Sequence, residues 1–125
     1  NRNAAKLGTP IQGICIGAQL LCNESEEGGK WTAGIDILDA EVRIIREGVV
    51  PRTGWQNVTW KDGSSQSYYF NHSYQMLPND SRFVLGSTED GITAALGYDN
   101  VLAVQFHPEK SQAAGLEFLR GWLNV

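Results

Sequence analysis

Cys15 lies between two glycines in Gly13-Ile14-Cys15-Ile16-Gly17, where the short apolar, β-branched run Ile11 to Cys15 gives way to helical spacing. A nucleophile between small residues at a strand-to-helix turn is the pattern of a nucleophile elbow. The turn is strained, and small neighbours let helix and strand approach closely. Amides at the helix N-terminus favour a thiolate there, and the N–H of Ile16 is the natural donor to an oxyanion formed by attack on a carbonyl. A buried cysteine in a glycine-rich turn fits the same pattern, which by itself leaves both readings open. A thiol nucleophile also needs a base, and the chain has two histidines, His72 and His107. His107 follows the apolar run Val101-Leu102-Ala103-Val104-Gln105-Phe106 and precedes Pro108-Glu109. It therefore falls at a strand end, where catalytic groups collect in α/β folds. Pro108 ends the ladder, and Glu109 can fold back to orient the imidazole. Alone this is a solvated His-Pro-Glu turn, but beside an elbow cysteine it completes a Cys15–His107–Glu109 triad.

Three segments then carry a family resemblance over almost the whole chain. Gly13-Ile14-Cys15-Ile16-Gly17-Ala18-Gln19-Leu20-Leu21, Phe70-Asn71-His72-Ser73-Tyr74 and Val104-Gln105-Phe106-His107-Pro108-Glu109-Lys110-Ser111 resemble the triad-type, class I glutamine amidotransferases. The pattern is nearest to the glutaminase subunits of imidazole glycerol phosphate synthases, with Ser25-Glu26-Glu27-Gly28 and Gly54-Trp55 in similar places. The resemblance implies hydrolysis of glutamine to glutamate and ammonia through a Cys15 thioester, with His107 moving protons and Glu109 orienting it. It places Gln19, His72, Ser73 and Tyr74 on the substrate glutamine, although His72 and Tyr74 also fit one face of a half-buried strand. It puts Gly54, Trp55 and Lys110 toward a partner synthase, a (βα)-barrel cyclase that receives the ammonia in histidine biosynthesis, and it implies neither cofactor nor metal. Arg52, Thr53 and Gln56 stand where such subunits usually carry His, Met and Asn, and Ala18 replaces a usual Met, departures that bear on the partner more than on the chemistry. Related subunits feed sugar-aminating synthetases of surface polysaccharide biosynthesis. A non-catalytic regulatory module would not need all three triad residues.

These residues must be positioned by a mixed set of elements. Asn1 to Leu7 resembles the end of a helix, with Gly8 as a left-handed cap and Pro10 blocking continuation. Ile11 to Cys15 reads as a buried strand and Ile16 to Glu24 as a helix, with Ile16, Leu20 and Leu21 in helical spacing. After the polar loop Ser25 to Lys30, β-like runs follow at Ile35 to Ile45, Gly54 to Trp60, Ser67 to Tyr74, Arg82 to Ser87 and Ile92 to Tyr98. Tyr98-Asp99-Asn100 turns into Val101 to Phe106, and a last helix starts at Ser111 as N-cap, with Leu116, Leu119, Trp122 and Leu123 on one face. The expected fold class is α/β, a flavodoxin-like class I glutamine amidotransferase sheet with a nucleophile elbow. The family's glycine-rich oxyanion loop and leading strands have no counterpart among residues 1–125. The expectation is therefore the C-terminal part of one such domain, with the Cys15 strand near a sheet edge.

Composition agrees with one globular domain and narrows its partners. Of 125 residues, 42% are hydrophobic and 19% charged, and the formal net charge is −4, a balance without the basic footprint of a nucleic-acid binder. No apolar run is long enough to span a bilayer, and Asn1 to Lys6 shows no signal-peptide pattern, so the chain reads as cytosolic. The Asn-x-Ser/Thr matches at Asn23, Asn57, Asn71 and Asn79 then read as chance. Cys15 and Cys22, about 10 Å apart along a helix, are too far for a disulfide.

Overall fold

The computed structural model describes residues 11–28 and 31–123. The reading of residues 1–8 as a capped helix end lies outside them, as do the side chains of Trp122 and Leu123. The chain runs β1 (Ile11–Ile14), α1 (Ile16–Leu20), β2 (Cys22–Ser25), β3 (Thr32–Ala33), β4 (Leu38–Ile44), β5 (Arg52–Trp60), β6 (Ser65–His72), β7 (Tyr74–Pro78), β8 (Val84–Thr88), β9 (Thr93–Tyr98), β10 (Val101–Val104) and α2 (Gln112–Leu123). Single 3-10 turns occupy Ser81–Phe83 and Pro108–Lys110.

The strands form two sheets, one in the order β1-β10-β9-β8-β5-β6 and one in the order β3-β2-β4-β7. Parallel pairs (β1 with β10, β2 with β4) combine with antiparallel hairpins, so the sheets are mixed. Among the described residues β1 pairs with β10 alone and forms an edge, where the strand leading to Cys15 was expected. The chain crosses between sheets at two places that concern the site. One is Cys15 and α1, between β1 and β2, and the other is Ser73, between β6 and β7.

The elbow helix is shorter than its spacing suggests. It stops at Leu20, and Cys22–Ser25 is a strand, because a tight turn (Leu21 N–H to the Ala18 carbonyl, 3.1 Å) delivers Cys22 to pair beside Leu38. Strand pairing with β4 overrides local helix spacing. Ile16 and Leu20, expected on the apolar face, are 62% and 54% exposed, whereas Ala18 and Gln19 are buried. Ser67 to Tyr74 is likewise not one strand but two, parted at Ser73. The hairpin at Asp99 is as expected, with Tyr98 opposite Val101 and Asp99 at φ 52°.

Two apolar clusters hold the sheets. Cys22, Leu38, Val42, Met76 and Leu96 make one, and Val58, Phe70, Val104 and Phe106 with Trp60 and Phe118 make the other. Tyr68 stacks on Phe106 at 4.0 Å between ring centroids, and Phe118 meets Phe106 edge-on at 5.2 Å. The expected face of α2 is corrected by this packing. Leu116 is 51% exposed, whereas Ala114 and Gly115 are buried and Phe118 joins the aromatic cluster. A Cβ on Gly115 would overlap the Pro108 carbonyl, so the helix can cross that turn only on its smallest residues.

The two elbow glycines are not equivalent. A Cβ on Gly13 would lie 2.8 Å from the Ala18 Cα and the Leu21 Cδ1, while one on Gly17 meets nothing within 4 Å. Gly13 is therefore the residue that lets α1 lie against β1, and the packing does not explain Gly17. Gly13→Ala should cost about 1–3 kcal/mol in denaturant unfolding of the full-length protein. Gly17→Ala, in a helix with open space, should be neutral or stabilise by up to about 1 kcal/mol.

Candidate active site

The register of β1 against β10 sets the site. Ile14 is the partner of Val104, and the next residue continues the contact, the Cys15 N–H donating to the Val104 carbonyl at 2.8 Å. Cys15 itself has φ 53° and ψ −111°, outside the regions an L-residue favours, a distortion that costs about 1–3 kcal/mol and persists only where neighbours impose it. That geometry turns β1 into α1 and directs the Ile16 N–H at the Cys15 sulfur.

Beyond Val104 the backbone is handed from strand to strand. The Gln105 N–H donates to the Ala94 carbonyl and the His107 N–H to the Tyr69 carbonyl, both at 2.8 Å. Alternation along this extended stretch sends Phe106 into the aromatic core and places Gln105 and His107 on the other side. Ser111 clamps the following turn. Its hydroxyl donates to the His107 carbonyl at 2.6 Å and accepts from the Tyr69 N–H at 2.9 Å. Ser111 does stand at the start of α2, its carbonyl accepting from the Gly115 N–H. The expected capping hydroxyl is used instead to tie the His107 turn to β6.

Cys15, Ile16, Gln19, His72, Ser73, Tyr74 and His107 line one cavity of about 350 Å³. Glu109 joins through His107, whose Nδ1 lies 3.1 Å from the Glu109 Oε2. With Nδ1–H held by that carboxylate, Nε2 is the ring's free basic atom. Gly54, Trp55 and Lys110 do not line the cavity. Trp55 is 47% exposed on β5 against Tyr69, and Lys110 is exposed on the turn after His107. Of the residues that depart from the family pattern, Arg52 forms a two-point ion pair with Asp90 and Thr53 donates to the Asn71 Oδ1 at 3.2 Å. Ala18 is fully buried under the elbow, so its reading as a partner-facing difference is replaced by a packing one.

Burial pushes the Cys15 thiol above its ordinary range. The Ile16 N–H, the Gln105 amide and the Lys110 charge pull it back down, and Glu109 opposes them. The group rests as a thiol that donates toward the Asn71 carbonyl at 3.9 Å. A thiol in that state needs a base to become a nucleophile. His72 is held differently. A carbonyl can only accept, so its Nδ1–H donates to the Tyr74 oxygen at 2.7 Å, leaving Nε2 as a buried acceptor without a partner among the described residues. His72 and Tyr74 thus flank a bend between sheets and do not share one strand face.

Two residues at the site went unmarked in the sequence. Glu27 lines the cavity, while its neighbour Glu26 is fastened to β4 through the Ile44 N–H at 2.6 Å. Only the likeness of Ser25 to Gly28 to the family pointed there. Gln105, fully buried, bonds both Gln19 and Cys15. A polar residue amid an apolar run, two places from His107, was the available signal.

A family model described as "Glutamine amidotransferase class-I" matches residues 1–123. The chain belongs to the class I glutamine amidotransferases. It is 41% identical to the imidazole glycerol phosphate synthase subunit HisH of Moorella thermoacetica, covering 97% of this chain and 62% of that protein. It is also 41% identical to HisH of Zymomonas mobilis, over 94% and 60%, and 39% identical to HisH of Aquifex aeolicus, over 97% and 63%. The chain thus spans about three-fifths of the length of these relatives. A crystal structure of a glutamine amidotransferase superposes with TM-score 0.75 at 22% identity, covering 98% of this chain and 64% of that one. Another, from Thermotoga maritima, gives 0.65 at 19%, covering 98% and 50%. At those identities the likeness is one of fold, and it agrees with the α/β class expected.

Both cysteines are free and buried, but burial raises the Cys22 thiol to about 12, and Cys22 packs inside the core. An electrophilic glutamine analogue should therefore label Cys15 and leave Cys22 untouched, as read by peptide mass. Preference for Cys22 would remove Cys15 from the site. Burial also lowers the His72 imidazole, its bond to Tyr74 offsets part of that, and the Arg52 and His107 charges add to the lowering. The unfolded chain then binds the His72 proton first, near pH ~6.5, so this contribution to stability is complete above that pH. It is lost as pH falls toward the lowered folded value. His72→Gln should flatten the fall of unfolding free energy with pH below ~6.5 in urea titrations.

Proposed function

We propose that the full-length protein hydrolyses glutamine to glutamate and ammonia, with Cys15 as nucleophile, His107 as base and acid, and Glu109 orienting His107. The observation that carries this reading is one cavity lined by a strained elbow cysteine, by His107, which Glu109 holds, and by the His72–Tyr74 bend. The Cys15 sulfur attacks the side-chain amide carbon of glutamine while its proton passes to the His107 Nε2. The Ile16 N–H donates a hydrogen bond to the developing oxyanion. His107 returns the proton to the leaving nitrogen as the C–N bond breaks, releasing ammonia and a glutamyl thioester. Water, deprotonated by His107, then attacks the thioester carbon, and as the C–S bond breaks His107 gives that proton to the Cys15 sulfur, releasing glutamate and restoring the thiol.

The cavity also holds groups suited to the rest of the substrate. The Glu27 carboxylate suits its ammonium, and the His72 Nε2 is a buried acceptor for an N–H. Both hydrogens on the Gln19 Nε2 are engaged, by the Tyr74 carbonyl at 3.0 Å and the Gln105 Oε1 at 2.9 Å, so Gln19 offers glutamine its Oε1. Ser73 and Tyr74 complete the grip at the bend.

The ammonia goes to a partner synthase. The named relatives are imidazole glycerol phosphate synthase subunits, which supports that enzyme and histidine biosynthesis; a cytoplasmic (βα)-barrel cyclase as the receiving subunit is what the motif resemblance implies. Ammonia is mostly protonated near neutral pH, and only a sealed route keeps it nucleophilic. The exposed Trp55, with Gly54 and Lys110, forms the docking face, an aromatic anchor of the kind that dominates interfaces.

In the full-length protein His107→Ala should abolish glutamate release, and Glu109→Ala should leave weak residual turnover. His72→Ala should raise KM for glutamine more than it lowers kcat. Turnover should be slow alone and rise many-fold with the cyclase and its acceptor bound. Silence of His107→Ala would show that the wrong histidine is assigned. Stimulation by a sugar-aminating synthetase and not by the cyclase would replace the partner, and stimulation by neither would overturn the synthase-subunit reading.

A further inference from the structure

We propose that Gln105 is a positioning residue of the nucleophile, whose side-chain amide, locked in one orientation by Gln19, holds an N–H on the Cys15 sulfur and so favours the thiolate over the thiol. The proposal rests on Cys15 being the nucleophile and adds a residue that acts through it. Gln105 is 0% exposed, and a carboxamide is buried at a cost unless both its ends are bonded. Both are. Its Oε1 accepts from the Gln19 Nε2 at 2.9 Å, and its Nε2 donates to the Cys15 Sγ at 3.8 Å.

The direction of this chain is dictated at its far end. The Tyr74 carbonyl can only accept, so the side of Gln19 that faces it is the NH2, bonded at 3.0 Å. The same NH2 faces Gln105, which must answer with its oxygen, and that turns the Gln105 NH2 toward the sulfur. A flipped Gln105 would set two NH2 groups against each other and an oxygen against the sulfur. A backbone carbonyl at the bend between the sheets therefore determines, through two buried amides, that the nucleophile meets a donor. The other groups facing the sulfur are the Ile16 N–H, the Asn71 carbonyl, the charges of Glu109 and Lys110 on the turn after β10, and the cavity-lining His107, His72, Tyr74 and Glu27. None of these depends on the Gln105 amide.

The test is the pH dependence of Cys15 alkylation by iodoacetamide in the full-length protein, followed by peptide mass, with Cys22 remaining unlabelled as the sign of an intact core. Only the thiolate reacts, so the midpoint of the profile reports its formation. Gln105→Met keeps length and bulk without the donor and should raise the midpoint by about one unit, about tenfold less thiolate at neutral pH. Gln19→Met removes the lock and should shift the midpoint the same way by a smaller amount, and it decides the matter if Gln105→Met does not fold. A parental midpoint in the folded variants overturns the proposal, as loss of packing alone would leave the profile in place. Iodoacetamide needs no glutamine site. A shifted midpoint in a protein that does not turn over glutamine would therefore count against the glutaminase reading alone, and an unshifted one in an active protein against Gln105 alone.

Discussion

The hydrogen bond from the Cys15 N–H to the Val104 carbonyl extends the β1–β10 ladder by one residue past its last strand pair. Much of the site follows from that register. It places Cys15 beside the stretch that carries Gln105 and His107. It also anchors the N-side of Cys15 while α1 draws the chain away, and between those two constraints the residue takes its unfavourable backbone angles. Because strand side chains alternate, a slip of one residue between β1 and β10 would turn every β1 side chain to the other face of the sheet and take Cys15 off the Val104 carbonyl. The apolar packing around Phe106 fixes the other side of that register, the stretch that follows β10. A ring stacked on Tyr68 and met edge-on by Phe118 has far more to lose from exposure than the polar residues on either side of it.

The cavity forms where the chain twice leaves the six-stranded sheet for the four-stranded one. At Cys15 and at Ser73 the regular ladder breaks, and backbone groups become available to a guest instead of to a neighbouring strand. The Asn71 carbonyl toward the thiol, the Tyr74 carbonyl that holds both His72 and Gln19, and the Ile16 N–H are all such groups. Ser111 and Gly115 serve this arrangement from the side. The hydroxyl fastens the His107 turn to β6, and the missing side chain lets α2 press close to Pro108.

Electrostatically the site opposes burial with directed donors. Removing the thiol from water disfavours its ionisation, and the N–H groups of Ile16 and Gln105 with the Lys110 charge counter that at short range. The proposed nucleophile therefore rests as a thiol that needs a base, which suits the proposed chemistry in which one imidazole takes a proton and gives it back. The same burial that raises the thiol lowers the His72 imidazole and so favours its neutral form, an acceptor at Nε2.

Local chemistry was enough to mark Cys15, His107 and Glu109. A glycine-flanked cysteine at a change of periodicity and a His-Pro-Glu after an apolar run are signals contained within a few residues, and so were most strands and the Asp99 hairpin. The short elbow helix, the split at Ser73 and the buried face of α2 were not legible. Each depends on a partner distant in sequence: β4 capturing Cys22, the second sheet capturing Tyr74, and Trp60 stacking on Phe118 of α2. For the same reason the bond between Gln19 and Gln105, 86 positions later, has no local signal and exists only once the two are folded together. The sequence by itself determined which side chains could react, because that is a property of residue type and immediate neighbours. Only the tertiary structure decided which polar groups face one another, because the direction of a buried hydrogen bond is set by whichever atom has no choice, here the Tyr74 carbonyl, and that atom comes from another sheet.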